Sequence, residues 1–432
     1  MKSLIVSAPH SGAGKTMITL GILRALRDRG VSVGSAKSGP DYIDPQFHLA
    51  ASAAPCVTLD AWAMTPARLR SLAAGSGSDF TLIEGAMGLF DGAADQQSAF
   101  GRGATAEVAR TLLAPVVLVL DVAGQGQSAA AVALGLARFQ PDVTIAGVIL
   151  NNVGSERHDT MIRRALDAVD LPVLGSVPRT GDLTMPSRHL GLVQARERPD
   201  LEAFIARAAT LASKHIDLDA LLDAAAPLAP AGQAQGLEPL GQRIAIARDD
   251  AFAFSYPHLI DDWRRQGADI SFFSPLTDQP PDEHADAVYL PGGYPELHAG
   301  KLGAAAHFRA GMHHAADRKA LIYGECGGYM ALGNGLVDAD GTQHAMLGLL
   351  PLETSFQQRK LHLGYRTLTC LKNAPWTGTL TAHEFHYASI INEGNEDRVF
   401  ETSDAMDTNL GAIGLSRGSV MGSFAHVIDR AG

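Results

Sequence analysis

KSLIVSAPHSGAGKT, residues 2–16, joins a short apolar run to a glycine loop that ends in Lys-Thr. Lys2 to Ser7 carries no polar alternation and reads as a strand buried on both faces, the habit of a parallel sheet. A helix is expected from Lys15 to Arg29, with Ile18, Ile22, Leu23 and Leu26 apolar and Gly30 as its stop. Gly12 and Gly14 let backbone N–H groups approach phosphate oxygens, and the helix N-terminus adds partial positive charge. Lys15 then reaches the terminal phosphates, and the Thr16 hydroxyl is placed for Mg²⁺. The loop departs from the standard pattern at Pro9, where the first Gly belongs. Ser11, Gly12, Ala13, Gly14, Lys15 and Thr16 form the expected ATP-binding set.

Outward from this loop the pattern repeats. Val31 to Ala36, Phe80 to Ile83, Val116 to Leu120 and Ile145 to Leu150 read as further strands with helical stretches between them. Unalternated strands alternating with helices predict a doubly wound parallel α/β sheet. From about Ser213 to Leu240 the chain turns rich in Ala, Pro and Gly, which predicts a short helix and a linker. The alternation restarts at Arg243–Ala247, Ala268–Phe273, Ala287–Leu290 and Ala320–Tyr323. The expected organisation is a nucleotide-binding domain over residues 1–212, a linker over 213–240 and a second α/β domain over 241–432.

Two acidic segments follow strands of the first domain: Asp41 and Asp44 in KSGPDYIDP (37–45), Glu84 and Asp91 in EGAMGLFDG (84–92). Loops at the C-terminal ends of parallel strands meet the ligand. Mg²⁺ on nucleotide phosphates usually takes one or two carboxylates. Thr16, Asp41, Asp44, Glu84 and Asp91 are therefore the metal candidates. Asp41 and Asp44 have a second reading, as turn caps beside Pro and Gly.

The bulk numbers bound the alternatives. With 432 residues, 46% of them hydrophobic and 19% charged, the chain can build two or three real cores. A net charge of −11 disfavours nonspecific nucleic-acid binding and anionic membranes. Three cysteines, Cys56, Cys326 and Cys370, make no disulfide or zinc pattern and suit a reducing compartment. No signal peptide or membrane-length apolar run is visible, so a cytoplasmic location is expected.

In the second domain, ALIYGECGGYM (320–330) reads as a strand, a tight turn with Cys326 at its apex, and a helix. This is a nucleophile elbow with Cys in place of Ser. The helix N-terminus is expected to lower the thiol's pKa. The Gly292-Gly293 pair in LPGGYPE, with Gly327, offers backbone N–H groups for an oxyanion hole. His426 in GSFAHVI is the expected base. Cys56 and Cys370 lie in no such turn and are assigned no chemistry. His383-Glu384-Phe385-His386 lacks the spacing of the helical zinc motif; on a strand, positions 383 and 386 face opposite sides, so no metal is expected there.

These segments together resemble the cobyrinic or hydrogenobyrinic acid a,c-diamide synthases. The resemblance runs through KSGPDYIDPQFH (37–48), LDAWAM (59–64), EGAMGLFDG (84–92), GVILNNVGSERH (147–158), PSRHLGLVQA (186–195), ARDDAFAFSYP (247–257), PGGYPE (291–296), GECGGYM (324–330), LHLGYR (361–366), HEFHYA (383–388) and GSFAH (422–426). The first half is also similar to dethiobiotin synthetase. The resemblance implies a P-loop synthetase domain and a class I glutaminase-like domain. It implies amidation of the a and c acetate groups, with ATP and L-glutamine as co-substrates, Mg²⁺, and ammonia released from glutamine. Lys37 joins the ATP-binding set. Class I glutaminases carry a Glu two residues after the His; here Ile428 stands there, so the resemblance implies a Cys326–His426 dyad.

A corrin substrate carries several carboxylates, yet the protein is acidic, so binding calls for a local basic patch. Arg188 and His189 in the first domain, and Arg359, Lys360 and Arg366 in the second, are the candidates, with Tyr42 beside the first acidic motif. The implied partner is a corrinoid small molecule, without nucleic acid or membrane; a homodimer is left open. Two rivals share part of this build. A partitioning-type regulatory ATPase shares the P-loop but needs no cysteine elbow. Cobyric acid synthase and nickel-sirohydrochlorin diamide synthase share both halves and differ in substrate.

Overall fold

The computed structural model describes residues 1–94, 102–180, 194–232 and 234–431. It divides into two units, Met1–Gln235 and Gly236–Gly432. The expected linker, residues 213–240, carries structure: a helix over Leu218–Asp223 and a two-residue strand, Ala226–Pro227, that pairs with Lys2 and Ser3. Its residues up to Gln235 cluster with the first unit.

The first unit alternates β1 (Lys2–Ser7), α1 (Lys15–Asp28), β2 (Val33–Ser38), α2 (Asp44–Ser52), β3 (Cys56–Leu59), α3 (Pro66–Ala74), β4 (Phe80–Glu84), α4 (Thr105–Leu112), β5 (Val116–Asp121), α5 (Ser128–Phe139), β6 (Ile145–Val153), α6 (Glu156–Asp167) and β7 (Val173–Pro178). Then come α7 (Leu201–His215), α8 (Leu218–Asp223) and β8 (Ala226–Pro227). β1 to β7 are parallel in the order β3-β2-β4-β1-β5-β6-β7. Leu4, Ile5, Val6, Leu82, Ile83, Val117 and Leu118 are fully buried, as a sheet covered on both faces requires. β2 begins two residues later than expected, at Val33, and runs to Ser38, so Lys37 sits at a strand end. β4 pairs with both β1 and β2, which puts Glu84 in register with Val6 on one side and Lys37 on the other.

The second unit opens as the sequence predicts: β9 (Arg243–Ala247), α9 (Pro257–Arg265), β10 (Asp269–Phe273), β11 (Ala287–Leu290), α10 (Ala299–Ala304), α11 (Ala306–Asp317), β12 (Leu321–Glu325) and α12 (Gly327–Leu332). Eleven strands then follow, which the α/β reading did not foresee apart from the strand expected around residues 383–391: β13 (Gly335–Val337), β14 (Gln343–Ala345), β15 (Leu352–Ser355), β16 (His362–Cys370), β17 (Thr379–His386), β18 (Ser389–Glu393), β19 (Phe400–Asp404), β20 (Asn409–Ile413), β21 (Leu415–Arg417), β22 (Val420–Ser423) and β23 (Ala425–Arg430). The parallel sheet runs β10-β9-β11-β12-β22, edged by antiparallel β21. An antiparallel sheet runs β20-β19-β16-β17-β23. Phe424 alone separates β22 from β23, so the chain passes between sheets at that corner and carries His426 from beside β12 to beside β17. Among the described residues no helix is long and apolar enough to cross a membrane.

Candidate active sites

The glycine loop of the first unit turns at Gly12 and Gly14, with φ of 81° and 95°. Gly14 has a second reason to be glycine: a Cβ there would stand 2.3 Å from the Asn151 side chain, whose amide donates to the Ala13 carbonyl at 2.9 Å. Asn151 lies two residues before the end of β6, so that strand holds the loop. Ser11 and Gly12 are exposed and Ala13 is buried. Lys15 is buried, and its ammonium donates to the carbonyls of Met87 at 2.5 Å and His10 at 3.2 Å. Burial pulls its pKa down, and Lys37 adds to that, while Glu84 opposes it.

Behind the loop, neighbouring strands bring together residues far apart in sequence. The Thr16 hydroxyl donates to Glu84 Oε1 at 2.6 Å. Lys37 Nζ sits 2.8 Å from Glu84 Oε1 and 2.7 Å from Asp44 Oδ2. His48 Nε2 meets Glu84 Oε2 at 2.7 Å, and its Nδ1 lies 3.5 Å from the Cys56 sulfur. Burial alone would discharge Lys37, but Asp44 and Glu84 hold its pKa well above the ordinary lysine value. Burial likewise works against a charged His48, and the Cys56 and Glu84 contacts outweigh it, raising its pKa to about 10. Glu84 stays ionised against its own burial because Lys37 and His48 face it. Burial and the charge of Asp41 push Asp44 up to about 7, with Lys37 opposing.

The other acidic candidates are partly committed. Asp41 Oδ1 accepts from the backbone N–H groups of Ile43 and Asp44, a cap on the turn into α2. Asp91 is exposed, and its Oδ2 accepts from Gly88 N at 2.9 Å. The oxygens of Thr16, Asp44 and Glu84 converge and form a hard donor set suited to Mg²⁺. Tyr42 is buried beside them. Past β5, β6 and β7, a cavity of about 500 Å³ is lined by Gln125, Asn152, Gly154, His158, Pro178 and Arg179 among others. The His158 ring is fixed there, its Nδ1 accepting from Gly154 N at 3.1 Å and its Nε2 2.6 Å from the Gln125 carbonyl. Arg188 and His189 lie outside the described residues.

In the second unit Cys326 stands between β12 and α12 with φ 45° and ψ −104°, a strained backbone for a residue with a Cβ. Its N–H donates to the Ser423 carbonyl at 2.8 Å, which ties the turn to β22 three residues before His426. The thiol points to the Phe385 carbonyl at 3.8 Å. Gly292 packs against the His426 ring so closely that a Cβ would come within 2.1 Å of Cε1. Gly293 N lies 2.9 Å from where a Gly327 Cβ would stand. Nucleophile turn, glycine pair and histidine therefore converge.

The expected lowering of the thiol's pKa is overturned. Burial, with the carboxylates of Glu296, Glu384 and Glu325, drives Cys326 far above the ordinary cysteine value, and the Gly327 N–H only weakly opposes them. α12 has only six residues and adds little field. Burial, then the nearby His383 and His386, push His426 down to about 3. The pair is a thiol and a neutral imidazole.

The HEFH segment lies on β17 with His383 and His386 on opposite faces, as its reading expected, and one face gains a member from a neighbouring strand. His383 pairs across strands with His426, while Glu384 and His386 share the other face of β17 and meet His362 from β16. Ligand atoms of His362, Glu384 and His386 lie within 4.8 Å of one another. The convergence was invisible to spacing because the third member comes from another strand. Glu384 is already engaged there: Arg366 Nε donates to its Oε2 at 2.7 Å, and His386 Nε2 lies 2.9 Å from its Oε1. Arg366, expected to be free for substrate, is thus committed to an ion pair, with its side chain 13% exposed. Arg359 and Lys360 are exposed.

Three site residues were missed by sequence reading: His48, Asn151 and Glu325. Each sits inside a quoted motif, and each acts through a partner from a distant part of the chain. Glu325, the residue before the thiol, is buried, with Oε2 accepting from Tyr289 at 2.7 Å and Oε1 accepting from Val427 N at 3.1 Å.

Residues 4–193 match the CobQ/CobB/MinD/ParA nucleotide binding domain, and residues 243–431 match the CobB/CobQ-like glutamine amidotransferase domain. The whole chain aligns at 54% identity with 99% of the hydrogenobyrinate a,c-diamide synthase of Brucella anthropi. It aligns at 55% identity with all of the enzyme of that name from a Sinorhizobium species. With the Rhizobium meliloti enzyme of that name it is 54% identical over 99% of both chains. A phosphate loop backed by a buried Lys-Glu pair, a strained cysteine elbow and end-to-end identity above half place this chain in the hydrogenobyrinate a,c-diamide synthase family of glutamine-dependent amidotransferases.

Proposed function

We propose that this chain converts the a and c acetate carboxylates of hydrogenobyrinate into primary amides, using ATP and glutamine. The observation that supports the reading is the pairing in one chain of a phosphate-loop cluster around Lys15, Lys37 and Glu84 with a strained cysteine turn beside His426. One is built to hold a nucleotide triphosphate, the other to open an amide. The relatives' shared activity, matched end to end, supports the macrocycle. A partitioning ATPase has no use for the Cys326 elbow. The reaction belongs in the cytoplasm, where both co-substrates are supplied.

In the first unit Lys15 and the loop amides bind the phosphates, and the cavity beyond β6 takes the base. Thr16, Glu84 and Asp44 would hold Mg²⁺, which would supply charge neutralisation at the phosphates. A substrate carboxylate oxygen attacks the γ-phosphorus and ADP leaves, giving an acyl phosphate. Lys15 and Lys37 neutralise the charge that develops. Ammonia attacks the acyl carbon and phosphate departs.

In the second unit the Cys326 sulfur attacks the glutamine carboxamide carbon while its proton passes to His426. The N–H groups of Gly293 and Gly327 receive the oxyanion. The C–N bond breaks as His426 returns the proton to nitrogen, releasing ammonia. Water, deprotonated by His426, cleaves the thioester to glutamate and restores the thiol.

Cys326→Ala is expected to stop amidation from glutamine and leave amidation from added ammonium. Lys15→Ala is expected to stop both. Hydrogenobyrinate and its cobalt counterpart, each incubated with ATP and glutamine, are then compared by mass spectrometry for a gain of two amides. Loss of ammonium-driven product in Cys326→Ala, or equal turnover of both macrocycles, would break the division of labour or the substrate assignment respectively.

A further inference from the structure

Glu325 is 1% exposed, and the groups that govern its ionisation are the Tyr289 and Tyr323 phenols and the Val427 N–H, none of them a cation. A carboxyl group buried without a cation is costly, so its retention calls for a reason. Geometry supplies one. Oε1 accepts from the N–H of Val427, the residue after His426, and Oε2 stands 3.9 Å from His426 Nδ1. The carboxyl group therefore grips the backbone beside the histidine and faces one of its ring nitrogens.

Resting on the glutaminase reading above, we propose that Glu325 positions His426: it replaces the carboxylate missing at Ile428 and makes Cys326–His426–Glu325 a triad whose acid comes from the residue before the nucleophile. Ionised Glu325 accepts Nδ1–H, which fixes the tautomer and leaves Nε2 to take the thiol proton as the S–C bond forms. The carboxylate then faces the imidazolium until Nε2 returns that proton to the departing nitrogen. A contact of 3.9 Å is longer than a hydrogen bond, as such contacts often are before substrate closes the site.

The protonation state gives the reading a signature. Burial raises Glu325 to about 7, with the hydrogen bonds from Tyr289 and Val427 opposing. The working form is ionised, so glutaminase kcat/KM falls as pH drops through about 7. The charged and titratable groups around the pair are Tyr289, Tyr323 and Cys326 near Glu325, and His383, His386 and Glu384 near His426. A limb that belongs to Glu325 disappears when Glu325 alone is changed.

Glu325→Gln in the full chain keeps the acceptor for Val427 and removes the charge. Glutamate release from glutamine is expected to fall on the order of 10²-fold in kcat, with glutamine KM within about twofold and the acid limb lost. Glu325→Asp should recover part of the rate and the limb. Wild-type kcat and pH profile in Glu325→Gln overturn the proposal. Cys326→Ala, run beside it, separates the two claims: if that variant still hydrolyses glutamine, the glutaminase reading itself fails. Should Glu325→Gln not fold, judged by its thermal transition, Tyr289→Phe decides the matter. Loss of the phenol's hydrogen bond should move the acid limb to higher pH; an unmoved limb counts against Glu325.

Discussion

Glu84 and Glu325 are both buried carboxyl groups that end parallel strands, β4 and β12, yet the protein shifts their pKa values in opposite directions. Glu84 faces Lys37 and His48 and remains ionised. Glu325 faces phenols and one backbone N–H and is raised to about 7. The same division extends to their neighbours. The phosphate-loop cluster is a set of paired charges in place before a nucleotide arrives. The thiol site holds its nucleophile and base uncharged, with Cys326 raised and His426 lowered. A polyanion is met by fixed charge, whereas an uncharged amide is met by a nucleophile and a base that become charged only as the proton moves between them.

The comparison breaks most visibly at Glu84. Glu84→Gln leaves His48 without its counter-charge and Lys37 with Asp44 alone, and should destabilise the first unit by about 3–5 kcal/mol. Amidation should fall by roughly 10³-fold or more with either glutamine or ammonium. Chemical denaturation and product assays measure the two effects. A stable, active variant would mean that the cluster's charges are not paired as described.

Glu384 tests whether the second unit also depends on one ionised acid. Its folded pKa is depressed to about 2, against burial, by His386 and Arg366. A depressed carboxylate contributes stability above its unfolded value of 4.5 and loses it as pH falls towards 2. Glu384→Gln should therefore cost roughly 3 kcal/mol at neutral pH and flatten the acid-unfolding curve between those values. An unchanged acid transition would remove this ion pair from the account.

The neutral state of Cys326 is open to direct chemistry. Without glutamine, iodoacetamide should alkylate it at pH 7 at least about tenfold more slowly than a free cysteine, and the rate should still be climbing above about pH 9. Rapid, pH-flat alkylation near neutrality would indicate a thiolate–imidazolium pair instead.

The smallest effect is expected at the exposed cation Arg359. Arg359→Ala should raise the macrocycle KM by about two- to fivefold and leave glutamine hydrolysis unchanged, because an exposed charge contributes about 1 kcal/mol or less. Steady-state kinetics with ammonium as nitrogen source isolates this term.

The sequence by itself determined the local machinery. Residues 2–16 declare a buried strand, a glycine turn and a helix start, because covalent neighbours and a 3.6-residue period decide those elements. Residues 320–330 declare a strand–cysteine–helix turn for the same reason. What only the tertiary structure decided are the partners. The order β2-β4-β1 sets Lys37, Glu84 and Thr16 on one another, though 68 positions separate Thr16 from Glu84. Asn151 reaches the loop across 138 positions, and Glu325 reaches Val427 across 102. Most antiparallel strands after residue 334 were not legible, the segment around residues 383–391 excepted, because many are only three to five residues long and lack alternation. Their pairing nonetheless gathers His362, Glu384 and His386 and sets His383 beside His426. Charge state followed the same rule. A helix start beside Cys326 suggested a low pKa, but ionisation depends on depth of burial and on which charges lie across space, neither of which is written in the order of residues.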